Sequence, residues 1–229
     1  MPRRAKTDSM LLPEEPQKPT DEFERRARKR GATWVAGVDE VGRGPLAGPV
    51  VVAAVMFDGP KFPRGLQDSK QIDRAERERL YDKIMERALV SVAVASRERV
   101  DRMNILRASL WAMSQALRGL ERTPDHVLVD GNMLPPWLPC PAQTLVGGDG
   151  RSVSIAAASI VAKVTRDRLM SRVGRAFPGY GFESHMGYST PAHFAALDEH
   201  GPCVHHRRSF APVRLQLEPE EAEPEALLI

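Results

Sequence analysis

Four carboxylates stand at the ends of three short apolar segments of this sequence. WVAGVDE ends on Asp39 and Glu40, VLVDGN carries Asp130, and TLVGGDG carries Asp149. In open α/β sheets, sites form where strands end and loops begin, so these acids could converge. Crowded carboxylates repel one another without a counter-charge, and hard divalent cations such as Mg²⁺ or Mn²⁺ prefer oxygen ligands. The pattern predicts a metal site, although aspartate beside glycine is also ordinary turn chemistry, and spacing alone leaves both interpretations open.

The adjacent acids Asp39 and Glu40 pose a geometric question. Successive side chains of a regular strand point to opposite faces of a sheet. We therefore expect the strand to end before the pair, so that the backbone turns both carboxylates to one side. Gly42 and Gly44, which flank Arg43, are the residues expected to break the strand there.

Composition excludes several classes of protein. The chain has 229 residues, 42% of them hydrophobic and 28% charged, and no apolar run is long enough to span a membrane. The N-terminus lacks the apolar core of a signal peptide, and the two cysteines, Cys140 and Cys203, suit neither a disulfide framework nor a zinc site. We expect a cytoplasmic protein without membrane attachment. Its net charge of +3 is compatible with a nucleic-acid partner.

The two ends of the sequence differ from its middle. Residues 1–32 are polar and basic, and they are predicted to form a disordered arm with a short helix from Thr20. This arm is either a solvated tail or an element whose Lys and Arg side chains contact phosphate. Residues 214–229 carry one Arg and five Glu and are predicted to form an acidic disordered tail. The folded domain is therefore expected at residues 33–213.

Apolar and amphipathic segments alternate along this domain and predict an α/β fold. Short apolar runs predict strands, and longer runs with near-helical spacing of apolar residues predict helices. The predicted strands cover residues 34–38, 49–57, 90–95, 127–129 and 143–146. The predicted helices cover residues 73–89, 105–120, 152–177 and 190–200, the last with Thr190 as N-cap and Pro191 at its first position.

Several motifs resemble those of bacterial ribonuclease HII. The shared segments are GVDEVGRGPLAGPVVVAAV, DSK, NIL, VDGN, SIAAASIVAKVTRDRLM, YGFESHMGYST and HHRRSFAPV, in the family's order from about residue 34 to residue 213. The resemblance implies an RNase H-like mixed sheet of five main strands flanked by helices, with a helical C-terminal region.

The same resemblance implies a function. It indicates a metal-dependent endonuclease, expected to be a monomer, that cleaves RNA in RNA–DNA hybrids. It also implies incision of duplex DNA on the 5′ side of an embedded ribonucleotide, which leaves a 3′-hydroxyl and a 5′-phosphate. Removal of ribonucleotides and of RNA primers from DNA would be its role, and protein partners are left unknown.

By this resemblance, the catalytic metal ligands are the acids that the strand-end pattern selects: Asp39, Glu40, Asp130 and Asp149. Two cations, either Mg²⁺ or Mn²⁺, held by such carboxylates can activate a water molecule and stabilise the leaving oxygen of an in-line displacement at phosphorus. The aspartates then serve as ligands and need not themselves move protons.

The resemblance also implies residues that contact the nucleic acid. Gly42, Arg43 and Gly44 match a loop that reads the 2′-hydroxyl, the group that separates RNA from DNA. Tyr188 matches a tyrosine that packs on the sugar of the next nucleotide, and Lys70 matches a lysine that contacts phosphate.

Other basic residues are less clearly assigned. Lys163 and Arg166 lie three residues apart on one predicted helical face, so they could reach phosphate together, or the face could simply be solvated. Residues 205–208 (HHRR) offer four donors, for which backbone or core hydrogen bonding is favoured over metal binding. Gly147 and Met186 stand where the family usually has lysine, and the loss of two positive charges predicts a changed affinity and salt dependence.

Two other functions stay open at this point. A non-catalytic nucleic-acid-binding protein could use the same fold, although four anions near phosphate would not help a pure binder. Another RNase H-fold nuclease, such as a resolvase or a transposase-like enzyme, is the second alternative. The glycine–arginine–glycine loop and the tyrosine segment argue against it.

Overall fold

A mixed five-stranded sheet forms the centre of the molecule, for which the computed structural model describes residues 18–217. Its strands are β1 (Val35–Val41), β2 (Val50–Phe57), β3 (Ala88–Ala95), β4 (His126–Asp130) and β5 (Ala142–Leu145). They lie in the order β3-β2-β1-β4-β5. The first three strands pair antiparallel, whereas β4 pairs parallel with both β1 and β5. The predicted mixed sheet is confirmed.

Helices cover both faces of this sheet. In chain order they are α1 (Glu22–Lys29), α2 (Arg74–Arg87), α3 (Arg97–Met103), α4 (Ile105–Arg118), α5 (Val153–Ala176), α6 (Phe182–His185), α7 (Pro191–His200) and α8 (Ala211–Leu215). Helix α4 packs on one face, and α2 and α5 pack on the other. Helices α6 to α8 form the predicted helical C-terminal region. Across residues 18–217, no helix combines the length and the apolar character needed to cross a membrane.

Polar side chains define where several helices begin. Asp73, Ser152 and Thr190 each accept a hydrogen bond from a backbone N–H of the first turn, in α2, α5 and α7 respectively. Helix α3 is absent from the sequence-based predictions, because its polar segment RERVDRM buries only Val100. Asn104, with φ of 66°, ends α3 and caps α4, so the two helices are separate.

Strand β1 continues through both acids of the opening motif. Asp39 pairs with Ala53 of β2, and Glu40 pairs with Val52. The expectation that the strand ends before the pair is therefore wrong, because β2 offers an uninterrupted partner up to Val41. The pleat turns Asp39 towards the face covered by α5 and Glu40 towards the opposite face.

A glycine allows α5 to approach β1 closely. A Cβ atom on Gly37 would lie 2.1 Å from the carbonyl carbon of Ser154, so no larger residue fits between the strand and the helix. The contact brings the first two turns of α5 over the end of β1, where the Ser159 side chain is hydrogen-bonded to the carboxylate of Asp39.

Helix α1 belongs to the folded part of the protein. Ala27 is buried with Leu128 and Ile155, and the Glu24 side chain is 1% exposed. The predicted disordered arm is therefore wrong for residues 18–32, although the short helix expected from Thr20 is present. Residues 1–17 and 218–229 lie outside the described residues, so the arm's first half and most of the acidic tail stay predictions.

Glu24 connects α1 to the start of α5. Its Oε1 atom accepts hydrogen bonds from the Ser152 hydroxyl at 2.6 Å, from the Ser154 backbone N–H at 3.0 Å, and from the Ser154 hydroxyl. The Thr20 backbone N–H also donates to the Arg151 carbonyl at 3.1 Å. These bonds join α1 to the segment that follows Asp149.

The first prediction concerns this buried carboxylate. Glu24→Ala leaves three donors at the start of α5 without their acceptor, and we expect the free energy of unfolding to fall by about 2–3 kcal/mol. Denaturant unfolding followed by circular dichroism measures the change. Glu22→Ala is the matched control on the same helix, since Glu22 is exposed and its ion pair within residues 18–217 is with Arg26. An equal effect of the two substitutions would contradict the proposed role of Glu24.

Candidate active site

The carboxyl ends of β1 and β4 bring two of the predicted acids together. The strands are parallel, and Val38 pairs with Val129, so Asp39 and Asp130 follow at the same level of the sheet. Asp149 lies in a short 3₁₀ turn, Gly148–Gly150, just after β5. All four predicted acids therefore lie at one end of the sheet.

The acids of β1 resist ionisation. Burial raises the pKa of Asp39 well above its usual range, and the charges of Asp130 and Glu40 raise it further. Burial also raises the pKa of Glu40 to about 7, against the opposing effect of Arg43. These shifts are what crowded, partly desolvated carboxylates produce when no strong counter-charge lies among them.

The two carboxylate oxygens of Glu40 have different surroundings. Its Oε1 atom lies 3.3 Å from the Arg43 guanidinium, which is half exposed. Its Oε2 atom is buried and has no hydrogen-bond partner among the described residues. A buried oxygen of this kind is costly to the fold unless a ligand meets it.

Backbone amides hold the other two acids in place. The Gly148 N–H donates to Asp130 Oδ1 at 2.7 Å, and the Gly150 N–H donates to Asp149 Oδ1 at 3.0 Å. Glycines in this turn allow the backbone to approach the carboxylates. The turn after β5 therefore connects Asp130 to Asp149.

Lys70 and Asp68 lie beside Asp149. The Lys70 ammonium is 3.6 Å from Asp149 Oδ2 and 3.9 Å from Asp68 Oδ1. The pKa of Asp149 is raised by burial and then by the charges of Asp68 and Asp130, while Lys70 lowers it. Asp68 is a fifth acid that the strand-end pattern does not select. Its only signal in the sequence is its place in the DSK motif.

These side chains do not yet form a complete ligand set. Within residues 18–217, no three Asp, Glu, His or Cys side chains stand as a ready-made metal cluster. The carboxylates are instead engaged by amides, by Arg43 and by Lys70. Their oxygens are hard ligands, so the groups that could hold divalent cations after small rotations are Asp39, Glu40, Asp130 and Asp149.

A cleft joins the acids of β1 to three of the predicted substrate contacts. It encloses about 500 Å³ and is lined by Asp39, Glu40, Lys70, Lys163 and Tyr188, among others. The Lys163 ammonium donates to Asp167 one turn along α5, at 2.8 Å. Acids, cations and an aromatic ring thus share one opening, which a phosphate backbone could enter.

Arg166 does not face this cleft as predicted. Its side chain is fully buried, and its N–H groups donate to the carbonyls of Pro49, Met186 and Ala47 at 3.0, 3.0 and 3.2 Å. The expected phosphate contact of Arg166 is therefore contradicted, because its donors already bind the main chain. A spacing of three residues identifies neighbours on a helix and leaves open whether their shared face is exposed.

The Gly42–Arg43–Gly44 loop is shaped by this buried guanidinium. Gly42 has φ of +93°, and a Cβ atom there would lie 2.2 Å from Arg166 Nε. Gly44 is exposed, and a Cβ atom on it would meet nothing within 4 Å. Gly42 is thus required by packing within the protein, whereas the space beside Gly44 is open for a ligand.

Arg207 holds the same loop from the other side. Its guanidinium is fully buried and donates to the carbonyls of Gly42, Arg43 and Gly48 at 2.5, 2.9 and 3.0 Å. The hydrogen bonding to backbone predicted for the HHRR segment is confirmed here. No sequence spacing indicates the loop as the partner, because 165 residues separate Arg207 from Gly42.

Tyr188 is fixed through a chain of buried histidines. The Cys203 N–H donates to His206 Nδ1 at 3.0 Å, so Nε2 of the neutral ring carries the proton. It donates to His193 Nε2 at 3.0 Å, and His193 Nδ1 then donates to the Tyr188 carbonyl at 2.9 Å. Burial lowers the pKa of both rings, that of His206 to about 4, which keeps this chain neutral. The Tyr188 side chain itself stays 38% exposed.

Gly147 and Met186, which stand where the resemblance predicts lysine, both adopt left-handed backbone conformations. Gly147 has φ of +63° and Met186 has φ of 52°. The Met186 side chain packs beside Met170 and Ala47 in a small apolar cluster. Neither residue brings a positive charge to the cleft, so the predicted change in salt dependence stays a prediction.

Comparison with known proteins places this arrangement in a family. The model of the ribonuclease HII family matches residues 36–213. Ribonuclease HII of Xanthobacter autotrophicus is 61% identical over 193 residues, which cover 84% of this chain and 77% of that protein. Ribonuclease HII of Sinorhizobium medicae is 53% identical over 214 residues, which cover 93% of this chain and 99% of that protein.

Solved structures agree with the sequence comparisons. The crystal structure of ribonuclease H2 from Pyrococcus horikoshii superposes with a TM-score of 0.67 and is 28% identical. The match covers 80% of this chain and 96% of that one. Fold, site and sequence agree: the chain belongs to the ribonuclease HII family, whose members are RNase H endonucleases.

Proposed function

We propose that the protein incises duplex DNA on the 5′ side of an embedded ribonucleotide and also cleaves RNA within RNA–DNA hybrids. The observation that carries the proposal is the contact between the acids and the loop that is expected to read the ribose. Glu40 belongs to the acidic group (Asp39, Glu40, Asp130 and Asp149) and accepts a hydrogen bond from Arg43 of the ribose-reading loop at 3.3 Å. The acids and the loop therefore lie side by side, where one bound strand can contact both. Removal of ribonucleotides and of RNA primers from DNA is the cellular role that follows.

The acidic group fits two divalent cations, Mg²⁺ or Mn²⁺. The unpartnered oxygen of Glu40 and the raised pKa values of Asp39 and Asp149 indicate that positive charge is needed among these groups. Asp39, Glu40, Asp130 and Asp149 would hold the cations through oxygen atoms. When bound, such cations lower the pKa of water and neutralise charge that develops at phosphorus.

The residues around the acids support a nucleic-acid substrate. Lys70 is 76% exposed and Lys163 lines the same cleft, so both ammonium groups can meet phosphates. The partly exposed ring of Tyr188 offers an apolar surface for a sugar. The open space beside Gly44 lets a ribose approach the main chain, and the 2′-hydroxyl is the group to be recognised there. Cleavage of the bond on the 5′ side leaves a 3′-hydroxyl and a 5′-phosphate.

The second prediction tests the activity with matched duplexes that contain zero, one or four ribonucleotides. With Mg²⁺ or Mn²⁺, the protein should nick 5′ of the single ribonucleotide. Asp39→Asn and Asp130→Asn should abolish nicking, because each removes a charged ligand. Glu199→Gln alters an exposed acid of α7 and should cut normally. Gel analysis of end-labelled strands measures the rates.

Two outcomes would contradict the proposal in different ways. Equal cutting of the all-DNA duplex would overturn the selectivity for ribonucleotides. An absence of cutting with either ion, together with tight binding of the duplex, would favour a nucleic-acid-binding protein without catalysis.

The third prediction concerns the charge of Glu40 when divalent cations are removed. The folded protein keeps the Glu40 proton up to a pH of about 7, whereas the ordinary pKa of glutamate is 4.5. Ionised Glu40 therefore destabilises the fold above pH 7, and this penalty fades as the pH falls towards 4.5. We expect Glu40→Gln to raise the free energy of unfolding at pH 8 by about 2 kcal/mol and to have little effect at pH 4.5.

Denaturant unfolding in a chelating buffer measures this difference across the pH range. Glu199→Gln serves again as the control, since Glu199 is an exposed acid of α7 outside the acidic group. A constant effect of Glu40→Gln from pH 4.5 to pH 8 would contradict the raised pKa. Added Mg²⁺ or Mn²⁺ should reverse the order of stability at pH 8, because the carboxylate would then be a ligand.

A further inference from the structure

Arg207 has an unusual set of partners for a buried charge. Its three side-chain hydrogen bonds go to main-chain carbonyls of one loop, those of Gly42, Arg43 and Gly48. Its own backbone N–H donates to the Leu46 carbonyl at 2.8 Å. One residue from the C-terminal region thus gathers four carbonyls of the segment between β1 and β2.

Burial of the Arg207 guanidinium removes it from water, which disfavours its charged form. Burial, and after it the neighbouring charge of Arg166, lower the pKa of Arg207 to about 9. The acceptors of these hydrogen bonds are neutral carbonyls, so no opposite charge compensates the buried guanidinium. What the hydrogen bonds provide is a fixed orientation of the loop. A planar guanidinium can bind several carbonyls at once in a rigid geometry, which a lysine ammonium cannot reproduce.

Because peptide bonds are planar, the hydrogen bonds of Arg207 to carbonyls also fix the direction of the neighbouring N–H groups. In a trans peptide, the C=O and the following N–H point in opposite directions. Because Arg207 draws the Gly42 and Arg43 carbonyls inward, the N–H groups of Arg43 and Gly44 point away from the core. Arg43 and Gly44 are also the exposed residues of this loop.

Both buried arginines bind carbonyls near the end of the loop, but among the side-chain hydrogen bonds within residues 18–217 those to its first carbonyls come from Arg207. Arg166 binds the carbonyls of Ala47 and Pro49, next to the start of β2. Arg207 binds the carbonyls of Gly42 and Arg43, next to the end of β1. The outward-facing amides therefore depend on Arg207 directly.

We infer that Arg207 is a positioning residue for recognition of the ribonucleotide. It aims the N–H groups of Arg43 and Gly44 at the 2′-hydroxyl and so sets the preference for a ribose over a deoxyribose. Arg207 itself does not touch the substrate. The inference rests on the proposed function and extends it to a residue outside the glycine–arginine–glycine motif.

The fourth prediction compares a protein carrying Arg207→Lys with one that keeps Arg207. Both proteins carry Asp130→Asn so that they bind without cutting, and affinities are measured by fluorescence anisotropy in Mg²⁺ at one salt concentration. The readout is the ratio of the Kd for an all-DNA duplex to the Kd for the same duplex with one ribonucleotide. We expect Arg207→Lys to lower this ratio about tenfold, as the loss of one aimed hydrogen bond predicts. The Kd for the all-DNA duplex should change less than about twofold, because phosphate contacts remain.

A control separates positioning from a loss of stability. Leu117→Ala removes a buried side chain of α4, remote from the loop, and should lower the free energy of unfolding without changing the ratio. The inference is overturned if folded Arg207→Lys keeps the full ratio, or if Leu117→Ala lowers it equally.

A measurement without any change at Arg207 covers the case in which Arg207→Lys does not fold. In the Asp130→Asn protein, the backbone amide NMR signals of Arg43 and Gly44 should shift more with the ribonucleotide duplex than with the all-DNA duplex. Equal shifts, despite a preference in affinity, would overturn the inference alone. Equal affinities of this protein for both duplexes would instead contradict the selectivity in the proposed function.

Discussion

Repulsion between carboxylates at one end of the sheet is the constraint on which the surrounding structure depends. Asp39 is buried beside Asp130 and Glu40, and each charge makes the next one harder to form. The neighbouring groups reduce this repulsion in part. The amides of Gly148 and Gly150 bind the carboxylates of Asp130 and Asp149, Lys70 also approaches Asp149, and Arg43 approaches Glu40. The repulsion that remains, seen in the raised pKa values, is what a divalent cation would relieve.

The loop beside the acids is held by positive charge that solvent does not reach. Arg166 and Arg207 are fully buried, and their hydrogen bonds to main-chain carbonyls shape the connection between β1 and β2. The charge of Arg166 disfavours the charged form of Arg207, yet together the two guanidinium groups fix a loop rich in glycine that would otherwise be flexible. Rigid support of this kind places recognition groups more accurately than a free loop can.

The N-terminal helix extends the ordered structure beyond the segment that the family model matches. Helix α1 precedes residue 36, and Glu24 on it accepts three hydrogen bonds at the start of α5. Because α5 also packs closely on β1 at Gly37, the position of α1 is coupled through one helix to the strand that carries Asp39. A basic, polar segment can thus be structural when one of its acids finds buried donors.

The sequence by itself determined the main strands and longer helices and the identities of four of the acids. Hydrophobic periodicity and capping residues such as Thr190 act within a few neighbours, so strands and helices follow from local pattern, and Asp39, Asp130 and Asp149 are recognisable where apolar segments end. Tertiary structure alone decided that β1 continues through Glu40, because a strand ends where its partner stops pairing. It also decided that Arg166 and Arg207 are buried. Their partners are distant in sequence, and only the packing of the chain determines whether a basic side chain meets solvent, phosphate or main-chain carbonyls.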